Sequence, residues 1–390
     1  MSENKAIKFI KNNTMLIALI VVIIFFAVST DGKLLLPQNI NNLISQNGYV
    51  FVTATGMLLC ILTGGNIDLG VGSVIAFTGG IGAVMMDSGK NSWLAVIVML
   101  VVGLIVGLWN GFWIAYIKVP PFIATLASMY AFRGLSNVVM EGYTVAVNDL
   151  TFLNVFGGGA DCYIPDFLGN NSQYNRTCMI VGIAVAALVA ILTFTGRARK
   201  ASKGYTTAPF GVELIKTIVI CGVVIWLAHM LSQYKGIPTA LVWIAVVFLA
   251  YNYVTTKTTM GRYLYAVGGN EKATRLSGID TRKVYLYAYA HMGFLTGLAG
   301  VLVAARMKSA APTYGQGYEM DAIGACFVGG ASAYGGIGNI GGVIVGATLM
   351  GIINQGMSIM GVNANYQKVV KGVVLLIAVV VDVLSKQEKK

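Results

Sequence analysis

Trp93 to Tyr116 read WLAVIVMLVVGLIVGLWNGFWIAY, with no Asp, Glu, Lys or Arg anywhere in the stretch. A helix that crosses the hydrocarbon of a bilayer needs about 20 predominantly apolar residues, with roughly 17 to 25 as the usual range, and this stretch meets that demand. The same measure picks out residues 14–29, 47–64, 68–86, 122–140, 178–195, 213–231, 238–254, 284–304, 338–359 and 366–384. A shorter glycine-rich run, 321–334, is expected to form a half-helix or a re-entrant segment. The predicted fold is therefore all-α, a polytopic transmembrane helical bundle of about 12 helices (10 to 12) with broken or re-entrant Gly-rich segments.

Composition agrees with that reading. Of 390 residues, 56% are hydrophobic and 11% charged, against about 25% charged in a soluble domain. Mean hydropathy is +0.74. No polar block is long enough to be a soluble domain, so residues 1–390 are expected to form a single transmembrane domain. The net charge of +12 does not point to nucleic acid, because it sits in short loops between the apolar runs. Lys5, Lys8 and Lys11 precede the first run, which is read as a retained helix rather than a cleaved signal. Arg197, Arg199, Lys200 and Lys203 form a second cluster, and Lys257, Arg262, Lys272, Arg275, Arg282 and Lys283 a third. Lys386, Lys389 and Lys390 end the chain. Basic loops mark the cytoplasmic side. Both termini and the loops 196–212 and 255–283 are thus expected there, and the acidic loop 141–177 outside. Arg306, Lys308, Lys368 and Lys371 land outside on this scheme and fit it poorly.

Several chemistries are absent. His229 and His291 are the only histidines and neither has a second ligand at metal-binding spacing, so no metal, cofactor or catalytic residue is expected. A phosphate-binding loop needs Gly-x-x-x-x-Gly-Lys-Ser/Thr. The nearest approach, Gly89-Lys90, is followed by Asn91 and has Val84 where the first glycine belongs. Cys60, Cys221 and Cys326 lie in apolar runs, whereas Cys162 and Cys178 flank the outer loop and are candidates for a disulfide.

The 48 glycines cluster as pairs, among them Gly64-Gly65, Gly329-Gly330, Gly335-Gly336 and Gly341-Gly342. Such pairs let membrane helices approach closely or break where they line a cavity. The segments 65–73 and 319–325 each set an acid, Asp68 or Asp321, at the start of a Gly-rich apolar helix, a match that can mark an internal repeat. Between them, residues 261–280 carry the most informative stretch of the chain. Asn270 is a good N-cap, Glu271 suits a helix start, Arg275 its end, and Gly278 a C-terminal stop. This predicts a short capped helix from Asn270 to Ser277, able to pass a push from a soluble partner to the helices beside it.

The Gly268-Gly269-Asn270-Glu271 and Leu276-Ser277-Gly278-Ile279-Asp280 elements resemble the coupling segment of permeases of the ribose, xylose and galactose class of bacterial ABC importers. The resemblance extends to residues 62–73, to Val119-Pro120-Pro121-Phe122-Ile123-Ala124-Thr125-Leu126 with Arg133-Gly134, and to residues 320–330. Asn66 departs from the direct Gly-Ile-Asp usual in that family. The region 141–231, an outer loop plus a helix pair, looks like an insertion similar to the xylose or multiple-monosaccharide branch. The resemblance implies a permease in the bacterial cytoplasmic membrane, in contact with lipid, paired with a second copy of itself. It also implies a cytoplasmic ABC ATPase subunit, met through Gly268, Gly269, Asn270, Glu271, Ala273, Arg275, Leu276, Ser277 and Gly278, and an extracytoplasmic sugar-binding protein.

Asp68, Asn110, Phe122, Thr125, Arg133 and Asp321 are the candidate substrate-path residues. A charge at the bilayer centre costs roughly 2.5 to 3.5 kcal/mol on insertion scales, so Asp68, Arg133 and Asp321 should face a wet path, a partner charge or the interface. Capping a broken helix and pairing with one another compete with sugar contact as their role. An alternative function, an ion-coupled secondary transporter, would use Asp68 and Asp321 to bind a proton or Na⁺.

Overall fold

The computed structural model describes residues 5–169, 174–206 and 209–387, and sixteen α-helices among them. Lys389, Lys390 and the side chains of Lys5, Lys8, Lys11 and Lys386 lie outside what is described. The chain divides into two compact units where the sequence suggested one domain. The larger comprises Met1–Leu34, Leu43–Cys162 and Ala240–Lys390; the smaller comprises Leu35–Asn42 and Tyr163–Thr239 and contains the helix pair read as an insertion.

The helices begin where the sequence offers caps. After α1 (Lys5–Ser29) and α2 (Pro37–Gln46), α3 (Gly48–Leu62) is buried along its whole length. A non-helical break follows before α4 (Val71–Asp87). Asn91 Oδ1 accepts from the Trp93 amide at 2.8 Å and opens α5 (Ser92–Ala115). Pro121 at the first position suits α6 (Pro121–Val139), since its missing N–H would lack a partner there anyway. The loop after α6 is not wholly irregular. It forms β1 (Val145–Ala146), antiparallel to β2 (Ser309–Ala310), and then α7 (Leu150–Phe156), capped by Asp149. The Ser92 hydroxyl donates to Asp149 and, with the Phe152 amide, holds its carboxyl below the usual range.

In the smaller unit α8 (Arg176–Ser202) and α9 (Phe210–Ser232) form a hairpin. Gly182 lies against Ala228, and the Arg197 guanidinium pairs with Glu213. Apolar side chains such as Ile183, Leu188, Leu192, Ile215 and Ile218 point outward. Exposure of this kind suits hydrocarbon as the solvent. Cys178, the candidate disulfide partner of Cys162, turns its thiol into the hairpin and donates to the Ala228 carbonyl at 3.4 Å; no disulfide forms among the described residues.

The chain then runs through α10 (Thr239–Lys257), α11 (Thr259–Gly269), α12 (Glu271–Leu276), α13 (Thr281–Met307), α14 (Tyr318–Val328), α15 (Ile340–Ile359) and α16 (Ala364–Gln387). The core of the larger unit is α13, packed against α3, α4 and α5. Apolar burial gives little drive between helices in lipid, so close backbone approach has to supply the cohesion. Gly103 and Gly107 on α5 face Gly293 and Gly297 on α13, and a Cβ at Gly293 would stand 2.3 Å from the Gly103 carbonyl oxygen.

Among the described residues six helices, α5, α8, α9, α10, α13 and α15, are long and apolar enough to cross a membrane by length and composition alone, or up to seven if the bent pair α2 and α3 is one span. This is fewer than the twelve runs counted in the sequence. The apolar runs are present as helices, but several are shorter than a crossing requires. α14, with 11 residues, is about 16 Å long, half of the roughly 30 Å hydrocarbon core.

Candidate coupling site and substrate path

The segment from α11 to α13 is a series of capped helices. Thr258 Oγ1 accepts from the Gly261 amide at 3.1 Å, Asn270 Oδ1 from Ala273 at 3.0 Å, and Asp280 Oδ1 from Arg282 at 3.1 Å. Gly278 stops α12 with φ 84°, a conformation that favours glycine. The two glycines of the motif differ in purpose. A Cβ at Gly268 would stand 1.9 Å from the Leu62 carbonyl oxygen, whereas Gly269 has open space.

α12 has two faces. Thr274 is buried beneath it, while Lys272, Ala273, Arg275 and Ser277 are exposed and Leu276 is 90% exposed. Glu271, at the start of α12, is partly exposed and held by side chains of its own chain. Its carboxylate accepts from Thr281 Oγ1 at 3.1 Å and from the Tyr285 hydroxyl at 3.0 Å, with Lys118 Nζ 3.8 Å away.

Asp68 sits in the break between α3 and α4. It is buried, and its Oδ1 accepts from the Gly70 amide at 2.8 Å. The Ser128 hydroxyl of α6 donates to Asn110 Oδ1 of α5, and a Cβ on Gly70 would lie 3.1 Å from Asp68 Oδ1 and 3.6 Å from the Ser128 Cβ. Thr125, one turn from Ser128, returns its hydroxyl to the Pro121 carbonyl at 2.9 Å. Asp68 and Asn110 thus belong to one cluster through Gly70 and Ser128, with Thr125 near them, since a Cβ on Gly70 would lie 3.4 Å from the Thr125 carbonyl oxygen.

The other candidates lie apart. Asp321 at the start of α14 is fully buried and paired with Lys371 of α16 at 2.9 Å, and accepts from the Tyr49 hydroxyl at 2.7 Å. Lys371, one of the misfits in the charge pattern, is therefore neutralised by a buried carboxylate. Arg133 pairs with neither aspartate through a hydrogen bond; its Nη1 donates to the Pro312 and Tyr314 carbonyls, each at 2.6 Å, and so holds the loop before α14. Phe122 is 54% exposed and points away from the polar cluster. Trp109, Trp113, Val119, Ile123, Ala127 and Ser128 line a groove of about 290 Å³ between α5 and α6, with the Asn110 and Asp68 cluster behind it.

A family model described as branched-chain amino acid transport system / permease component matches residues 39–379. The chain belongs to this permease family. The permease is 35% identical over 378 residues to the xylose transport system permease protein XylH of Escherichia coli K12, covering 96% of this chain and 92% of the relative. XylH of Haemophilus influenzae is 36% identical over 380 residues, 96% of each chain. The ribose import permease protein RbsC of E. coli K12 is 34% identical over 368 residues, covering 94% of this chain and 92% of the relative. No solved structure matches the permease.

Four residues that complete these clusters, Tyr49, Lys118, Ser128 and Tyr285, were not singled out by the sequence analysis. Each is a common residue type that gains meaning only from a partner brought to it by folding. Ser128 alone had a cue, its spacing of three from Thr125 on one helix face.

Proposed function

We propose that the permease is the membrane subunit of an ATP-driven importer of an unphosphorylated monosaccharide, with xylose or a related pentose or hexose as cargo. The relatives named for xylose and ribose support the substrate class. α12 supports the energy source, because it is capped at both ends, fastened by Glu271 to Tyr285, and presents Leu276 almost fully exposed among the described residues. A large apolar side chain at that exposure fits the cleft of a separate ATPase subunit. Basic loops put this segment and both termini in the cytoplasm, and the acidic outer loop faces an extracytoplasmic sugar-binding protein.

The cargo crosses between two copies of the chain, each contributing the groove at Trp109 and Trp113 with Asn110, Thr125 and Asp68 behind it. Aromatic faces and neutral hydrogen-bonding groups suit sugar hydroxyls and ring C–H groups. Arg133 and Asp321 brace the path rather than touch the sugar, Phe122 meets the second copy or lipid, and residues 1–390 act as one permease. The ion-coupled alternative gains no support, since Asp321 is engaged by Lys371 and Tyr49, and Asp68 by the Gly70 amide.

Leu276→Asp tests the reading. The side chain contributes little to folding at 90% exposure, so the variant should insert and purify normally. Association with the ATPase should weaken by a factor of about thirty or more, the loss typical of an apolar anchor worth about 2 kcal/mol or more. Pull-down and sugar uptake in liposomes at wild-type levels would sink the proposal.

A further inference from the structure

The first and last helices of the larger unit, α1 and α16, flank α14 and α15 without packing closely on each other. Gly356 of α15 seats one end of α1, since a Cβ there would stand 2.3 Å from Phe26 Cδ1. Toward the chain ends a groove of about 450 Å³ opens between the two helices. Met15, Ala18 and Val22 of α1 form one wall, and Val374, Ala378 and Asp382 of α16 the other. Met15 and Asp382 mark the same mouth of the groove: a Cβ on Gly330 would meet Met15 Sδ at 2.8 Å, and the Asp382 carboxylate accepts from the Ala333 amide, three residues on, at 3.0 Å.

The two lining stripes continue into lysines. Positions four and seven residues apart share a helix face. Lys11 and Lys8 precede Met15 by four and seven positions, and Lys386 follows Asp382 by four. Three lysines therefore stand on the groove's own helix faces at one mouth, where α1 enters the apolar run that begins at Met15. Asp382 is outnumbered there, and its carboxylate is already on the Ala333 amide. At the opposite end Lys371, three residues before Val374, is committed to Asp321.

Within a bilayer an apolar groove gains nothing by excluding water, because lipid tails are as apolar as its walls. Packing alone accepts any acyl chain, so the basic mouth supplies the choice. A second copy of the chain, sharing this orientation in the membrane, would bring its own lysines to the same depth and set like charges face to face. We propose that the groove is a binding site for an anionic phospholipid, with one acyl chain between α1 and α16 and the phosphate held by Lys8, Lys11 and Lys386. The lipid bridges two helices that the protein's own packing leaves apart. The site requires only that the chain lie in a bilayer and does not rest on the importer reading.

The full-length chain in detergent is titrated with phosphatidylglycerol or with phosphatidylcholine of the same acyl chains, and bound lipid is counted by native mass spectrometry. Phosphatidylglycerol should bind about tenfold or more tightly than phosphatidylcholine, since each lysine near an anionic headgroup is worth about fivefold, the equivalent of about 1 kcal/mol. Lys8→Gln, Lys11→Gln and Lys386→Gln should each remove about that factor and leave phosphatidylcholine binding unchanged. Ala378→Phe fills the groove and keeps the lysines, so it should weaken both lipids about tenfold. Both Ala378 and Ala18 are partly exposed, and Ala18→Phe on the facing wall decides should the first variant fail to fold. Glycerol phosphate, a headgroup without a chain, should not compete. Equal affinity for the two lipids, competition by glycerol phosphate, or wild-type phosphatidylglycerol binding in the groove-filled chain overturns the proposal. A lipid-free dimer that the groove-filling variant dissociates would put a second copy in the groove and overturns it as well.

Discussion

Asp321 and Lys371 lie 50 positions apart and meet only after folding. The aspartate was legible in the sequence as a costly charge at the edge of an apolar run, but its partner looked like a misplaced outer-side lysine near the start of the last run, because nothing local links α14 to α16. Breaking a buried pair leaves an uncompensated charge and costs about 3 to 5 kcal/mol, whereas replacing both partners with neutral groups is often nearly neutral. Asp321→Asn should therefore lower the apparent melting temperature of the detergent-solubilised protein sharply, and adding Lys371→Met should restore most of it. Equal melting of the two variants would show that the pair is not what holds α14 to α16. Asn66 gives the opposite lesson. It stood out as a departure from a family pattern, and the structure gives its amide a partner in Thr63 Oγ1 at 3.2 Å.

At the scale of helices, the apolar runs of the sequence correspond to helices throughout, with most ends within a few residues of those expected. Hydropathy and caps are local properties, so they can be read without the fold. What was not legible was which glycines break a helix and which cement two together, because that depends on the facing backbone. Gly293 and Gly134 make the contrast testable. A Cβ at Gly293 would stand 2.3 Å from Gly103 O, while one at Gly134 meets nothing within 4 Å. Gly293→Val should force α5 and α13 apart and destabilise the bundle by about 3 kcal/mol, the upper end of the usual overpacking cost. Gly134→Val should leave stability within about 1 kcal/mol, since only helix propensity changes. Thermal denaturation of the two in the same detergent separates them, and matching curves would contradict the close α5–α13 contact.

For the whole molecule, fixed charges within the apolar helices are few among the described residues, and two of them, Arg133 and Lys371, are committed to Pro312 and Tyr314 carbonyls and to Asp321. A sugar phosphate would find little to replace its hydration along such a path, and a neutral sugar loses less on entry. Exchanging the binding protein for one that recognises a different pentose or hexose, with its docking surface kept, should change the sugar taken up. Continued uptake of the original sugar alone would place selection in this chain, and direct uptake of a sugar phosphate would refute the charge argument. The class of protein was legible because coupling to an ATPase demands a local motif; the cargo was not, because hydroxyl recognition can be assembled from ordinary residues scattered over α3 to α6. The capped series from Thr258 to Asp280 has a mechanical meaning as well. Helices fastened end to end by Thr258, Asn270 and Asp280 leave little slack between Leu276 and the bundle. In the importer proposed here, the stroke of the motor below, rather than the compliance of the linkage, then sets how far the break at residues 63–70 opens.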